Sequence, residues 1–249
     1  MTAMWVQEAA ERFWADAGGA PDSFPRDLRR AIALALPLAV VDLPRLHVSS
    51  VAGWLGQRGI TIPRLLSEST QEQDRPVRAC LLVHESAGFV FLDGADPDDE
   101  RRLSLAHEVA HFLIEYALPR ERALQRLGAD TLPVLEGRRQ PSRAERIEAI
   151  LAGVELRLRL HLLERTSDGQ PQATHISSAE RRADTLALEL LAPVEVVRSR
   201  LSPGVCLVDV CEILQSVFGL PAAIARGYAR QLVPGPTPDQ LLLERLGFS

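Results

Sequence analysis

Apolar positions recur at helical spacing along much of the chain. Residues 4–17 set Trp5, Ala9, Phe13 and Ala17 on one stripe, which predicts a short amphipathic helix. Asp27 to Leu36 and Ser50 to Arg58 predict two more helices, each bounded by Pro or Gly. The polar stretch "SESTQEQDRP" (67–76) reads as loop. The period then changes: "ACLLVHESAGFVFLDG" holds two short apolar runs parted by "HESAG", the pattern of a β-hairpin or two neighbouring strands. "ADPDDE" adds turn residues and an acidic first turn, which suits the start of a helix. From Leu103 to Leu118, "LSLAHEVAHFLIEYAL" is apolar nearly all round, as a helix inside a core is. Ser142 to Glu145, "SRAE", is a capping box whose helix is predicted to run to about Arg165. "TSDGQPQATH" reads as a second loop. "SAERRADTLALELLA" is a helix stopped by Pro193, and Asp209 to Val233 reads as helix, turn at Gly219–Pro221, helix. Strands are few. The expected class is α+β and helix-rich, with a small β-sheet or hairpin before the Leu103 helix and a C-terminal helix pair.

Composition narrows the setting. The 249 residues and 46% hydrophobic content suffice for one large domain or two small ones with a real core. A net charge of -5 argues against a polyanion-binding surface as the main theme. All 28 basic residues are Arg, and Lys and Asn are absent, a bias that reads as codon usage. Three Cys are too few and odd in number for a disulfide framework. Cys206 and Cys211 are wrongly spaced for a zinc knuckle and read as core positions. The N-terminus carries Glu8, Glu11 and Asp16 and does not read as a secretory signal. The longest apolar run, Ala31 to Val41, is broken by Pro37 and falls far short of the roughly 20 residues that span a bilayer. A cytoplasmic location without membrane association is expected.

The Leu103 helix carries an energetic problem. His107, Glu108 and His111 interrupt its apolar surface, and buried ionisable groups are costly unless something pairs with them. Together with Val109 and Ala110 they spell HExxH. On a helix, positions i and i+4 share a face, so both imidazoles can reach one cation. Neutral imidazoles bind Zn2+ while leaving net positive charge, which lowers the pKa of a water held there towards roughly 7. Glu108 can then take that water's proton and later pass it to a leaving amine. The bland alternative is a core helix whose histidines are satisfied by neighbouring side chains. Three polar residues in one buried helix need a shared explanation, and zinc supplies one.

Catalytic zinc usually takes three protein ligands. The extension HExxHxxGxxH fails, since Ile114 and Ala117 stand where Gly and His would be. Glu115 would have to reach back along its own helix, and Asp130 in a loop stays open. The best candidate is Glu180 in "AERRADTLALELLAP". Its helix should bury Ala183, Leu186, Ala187, Leu190 and Leu191, with Glu180 one turn before Asp184 at the edge of that face. This is the ExxxD arrangement of the gluzincin type, in which Glu binds metal and Asp hydrogen-bonds a ligand His. Ser177 to Glu180 is also a capping box, so Glu180 could instead cap its helix.

In these residues the chain resembles the ImmA/IrrE metallopeptidases. That family carries a strand pair, then a segment like "RxxLAHExxHxL", then "ExxA(D/N)xxAxxLLxP". Here these are "RRLSLAHEVAHFL" (Arg101 to Leu113) and "ERRADTLALELLAP" (Glu180 to Pro193). The similarity covers about residues 45–233 and extends to "LQSVFGLPAAIARGYARQL", which is similar to the family's closing helix-turn-helix-like segment. It implies a zincin-like metallopeptidase core at 45–195, flanked by an N-terminal helical segment (1–44), helix-turn-helix-like helices (196–233) and a tail (234–249). It further implies a cytoplasmic zinc endopeptidase that cleaves a partner repressor of the XRE type, relieving repression in stress-response or mobile-element circuits. By resemblance His107, His111 and Glu180 bind Zn2+, Glu108 is the general base and acid, and Asp184 supports a ligand His. The ligand set alone leaves Mn2+ possible as well. Two departures stand out. The gap from His111 to Glu180 is long, implying a helical insertion at about 120–176, and Leu186 replaces the family's common Phe. An oxyanion partner besides the metal could be Tyr116, His175, His84 or Arg181, and the sequence does not choose.

Two rival classes remain at this stage. A transcriptional regulator would bind DNA through 209–233, yet Glu195 to Val233 sets four Arg (198, 200, 226, 230) against Glu195, Asp209 and Glu212, which is no basic stripe. A non-catalytic metal-dependent interaction or sensor module would keep the ligands without needing the intact Glu108.

Overall fold

Alternation along two neighbouring runs of the chain lets a small sheet bury both its faces. The computed structural model describes residues 3–60, 74, 76–84, 87–136, 138–152, 160–164, 178–202 and 204–233. Strands β2 (Val77–His84) and β3 (Ala87–Asp93) form the antiparallel hairpin expected from "ACLLVHESAGFVFLDG". Ala79, Leu81, Val83, Val90 and Leu92 join one hydrophobic cluster, while Cys80, Leu82 and Phe91 join another. Strand β1 (Leu38–Leu43) lies parallel to β3, with Leu38 opposite Gly88. Strand β4 (Leu160–Glu164) adds antiparallel to β2, so the spatial order is β1-β3-β2-β4.

Helices cover both faces. On one side α3 (Val48–Gly56) presses Val48, Val51 and Leu55 onto Val77, Cys80, Leu82 and Phe91. On the other, α4 (Asp98–His111) lies against β2 and β3. It begins with the acidic turn Asp98, Asp99 and Glu100, which complements the positive end of the helix dipole. At Phe112–Ala117 the α-helix widens to a π-helix before α5 (Leu118–Leu127) continues. The helix expected from Leu103 to Leu118 is therefore longer at its start and irregular at its end.

Helix α8 (Ser178–Leu191) packs along α4, and α1 (Met4–Asp16) packs along α8. The stripe expected on α1 is present, with Ala9 and Phe13 buried beside Val6, Ala10 and Trp14. Helix α2 (Leu28–Ala35) buries Leu28, Ala31 and Ile32. After the short α6 (Leu132–Leu135), helix α7 (Arg143–Ala152) opens with the expected capping box. Ser142 N donates to Glu145 Oε2 at 2.7 Å, and Glu145 N donates to Ser142 Oγ at 3.2 Å.

After α9 (Val194–Ser199), the C-terminal pair α10 (Leu207–Ser216) and α11 (Ala222–Leu232) docks on the main core through Val210, Leu214, Phe218, Leu220, Ala225 and Tyr228. Two polar contacts fasten it. Tyr228 OH donates to Ala192 O at 3.0 Å, and Arg102 of α4 donates to Gly219 O at 2.9 Å. Gly219 has φ 66, a left-handed conformation that lets the turn between the two helices close beneath the Arg102 side chain.

The α+β, helix-rich expectation holds, with corrections inside it. The helix begun at Arg143 does not run to Arg165: Ala152 is its last described residue, and Leu160–Glu164 is an edge strand. The stretch 120–176 is thus not purely helical. Pairing with β2 fixes Leu160–Glu164 as a strand. Strand β1 falls in a run read only as apolar. Cys206 is exposed at the N-cap of α10 and is not the core cysteine expected, whereas Cys211 is half-buried and packs against the main core; Cys80 is buried. The loops expected at 67–76 and 166–175 lie mostly or wholly outside the described residues. Among the described residues no helix is long and apolar enough to cross a membrane.

Candidate metal centre

Two helices that meet in the core carry the site. Leu105, Ala106, Val109 and Ala110 embed α4, which leaves His107, Glu108 and His111 buried as well. Ala183, Leu186, Ala187, Leu190 and Leu191 are all buried on α8, as its pattern required, and their packing holds the first turn of α8 over α4. Glu180 sits in that turn. Among the described residues, His107, His111 and Glu180 form the group whose ligand atoms converge, all within 4.8 Å of one another. Asp130 is not in it.

The distances discriminate between explanations. His107 Nε2 and His111 Nε2 are 3.1 Å apart, and Glu180 Oε2 lies 3.4 Å from the first and 3.5 Å from the second. Charge-assisted N–H···O bonds are normally about 2.7–2.9 Å, so Glu180 stands too far out for a tight ion pair. Tetrahedral zinc with bonds of about 2.0–2.1 Å separates its ligand atoms by about 3.3–3.4 Å. The two edges to Glu180 lie close to that spacing, and the edge between the two imidazoles is slightly shorter.

The outer ring nitrogens reinforce the match. His107 Nδ1 lies 2.9 Å from Asp184 Oδ1, and His111 Nδ1 lies 2.9 Å from Glu115 Oε1. A carboxylate only accepts, so each imidazole donates its Nδ1–H outward and turns Nε2 inward, where a neutral ring presents its lone pair. With both rings neutral, two lone pairs and a carboxylate oxygen face one point and form a donor set that a cation satisfies; without a metal, a proton on His107 fills that part. Burial lowers the tendency of His107 to hold a proton. Its bonds to Asp184 and Glu180, with the charges of Glu108 and Asp184, outweigh burial and push it up to about 10. A metal ion with neutral imidazoles would displace that proton. The donor set of two imidazoles and a carboxylate fits Zn2+.

Glu108 is fully buried, and its charge acts on both His107 and the Cys80 thiol, whose pKa is raised first by burial and then by Glu108. The residue that the sequence reading passed over is Glu115. Weighed as a metal ligand, it instead faces the outer nitrogen of His111, and the i,i+4 spacing was the available signal. Asp184, the residue the ExxxD pattern singled out, faces the outer nitrogen of His107. Of the oxyanion candidates, Tyr116 packs on Phe112 and lines a cavity of about 290 Å³ against α1, and Arg181 is exposed. His175 and the side chain of His84 lie outside the described residues.

The site is a buried metal-binding arrangement consistent with metal-dependent hydrolysis of the zincin kind. No family model matches the chain, and no curated protein or solved structure compared with it matches.

Proposed function

We propose that the protein is a zinc-dependent endopeptidase acting on a partner protein. The observation that carries the reading is the triangle of donor atoms from His107, His111 and Glu180, with edges of 3.1, 3.4 and 3.5 Å, beside the buried Glu108. Zn2+ bound there, or Mn2+ with the same ligands, supplies a Lewis acid that acidifies water and polarises the scissile carbonyl. His107, His111 and Glu180 hold it, and Asp184 keeps the Nδ1–H of His107 engaged so that Nε2 stays aimed at the site. Glu108 takes a proton from the attacking water on its carboxylate and delivers it to the leaving-amine nitrogen.

The partner follows from the resemblance of "RRLSLAHEVAHFL" and "ERRADTLALELLAP" to the ImmA/IrrE metallopeptidases: a repressor of the XRE type, cleaved in the cytoplasm as part of a stress-response or related transcriptional circuit. The division into a core at 45–195, closing helices at 196–233 and a tail at 234–249 belongs to the same proposal. Incubating the zinc-loaded chain with a candidate XRE-type repressor, beside Glu108→Gln, tests it. Unaltered protein should cleave, while the variant retains zinc but loses about 10²–10⁴-fold in rate. Equal cleavage by both proteins removes Glu108 from the mechanism. Absence of cleavage with zinc bound leaves a metal-dependent interaction module as the better reading.

A further inference from the structure

His111 is the most enclosed of the three candidate ligands, with its side chain 1% exposed. We infer that Glu115 is the main positioning residue of the metal site: it holds His111 in the tautomer and ring orientation that present Nε2 to the metal. Asp184 does the same for His107 more weakly. The inference rests on the metal-site reading given above.

Geometry separates this role from ligation. Glu115 Oε1 contacts Nδ1, whereas Nε2 of the same ring faces His107 and Glu180. The carboxylate therefore stands on the opposite side of the imidazole from the point where the three donors converge. Glu115 belongs to the π-helical turn Phe112–Ala117 that follows His111 directly. The i,i+4 spacing sets Glu115 beside His111, and π-turns are frequent at functional sites.

Exposure then ranks the two carboxylates. The Glu115 side chain is 20% exposed, against 59% for Asp184, so water competes far more for the Asp184 contact. Their origin in the chain also differs. Glu115 shares a continuous helix with the residue it orients, whereas Asp184 arrives on α8 and reaches His107 only when α8 is docked. Glu115 thus orients His111 in advance of Glu180, and Asp184 is brought in together with Glu180.

Zinc affinity measured by competition with a chromophoric chelator tests the ranking on the full chain and on Glu115→Ala, Glu115→Gln and Asp184→Ala. Thermal unfolding of each zinc-free protein is recorded in parallel. Glu115→Ala should bind zinc about 10–100-fold more weakly. Glu115→Gln should lose less, because its amide oxygen still accepts the Nδ1–H, and its zinc-free unfolding midpoint should match the unaltered protein. Asp184→Ala should lose less than Glu115→Ala, and the visible bands of the Co2+-substituted site should shift most in Glu115→Ala. Affinity in Glu115→Ala within twofold of the unaltered chain overturns the inference. So does a larger loss in Asp184→Ala, or an affinity loss in Glu115→Gln that is matched by a fall in zinc-free stability. If the unaltered chain itself binds no zinc, the metal-site reading falls and takes the inference with it.

Discussion

At the scale of single residues, a proton and a metal ion compete for the same lone pairs. In the metal-free protein His107 is pushed up to about 10, against an ordinary imidazole value near 6.5. A group whose pKa rises on folding stabilises the fold while it is protonated. Its contribution is complete below about pH 6.5 and disappears as pH climbs towards 10. The chelated protein should therefore lose thermal stability steadily between pH 6.5 and 10, and His107→Gln should flatten that decline; an unfolding midpoint that stays level across this window contradicts the arrangement. Zinc affinity should move the opposite way, rising with pH as the proton becomes easier to displace.

At the scale of elements, the site is a contact between two helices, and its geometry is inherited from their apolar faces. Ala183, Leu186, Ala187 and Leu190 fix α8, and Glu180 in its first turn follows. Leu186 is fully buried, so Leu186→Ala should destabilise the fold by about 2–5 kcal/mol in chemical denaturation. If α8 is the lever that sets the triangle, the same variant should weaken zinc binding although Leu186 is no ligand. Unchanged affinity with the expected stability loss would show that Glu180 is held locally. The sheet beneath is assembled from distant pieces. β1 joins β3 in parallel although α3 and β2 lie between them in the chain, and β4 reaches β2 from far along the chain.

At the scale of the whole molecule, both main sequence signals converge on one core, and the helix pair at the C-terminal end belongs to it. Val210, Leu214, Phe218, Ala225 and Tyr228 share a cluster with the residues around α4 and α8, so ligand binding at the site should be felt globally. Saturating zinc at about 100 times its Kd should stabilise the fold by about 2.7 kcal/mol, or roughly 5–10 °C in a chain of this size. Differential scanning calorimetry with and without chelator measures this, and identical midpoints in a zinc-loaded sample would be incompatible with a site made of core helices. Periodicity by itself determined the amphipathic α1, the β2–β3 hairpin, the buried HExxH helix and the apolar face of α8, because burial leaves a local, repeating mark on residue order. HExxH and ExxxD were legible for the same reason, since one helical turn sets both spacings. Only the tertiary structure decided that His107, His111 and Glu180 meet and that Leu160–Glu164 is an edge strand. Each of these depends on a partner from elsewhere in the chain, which a local pattern does not carry.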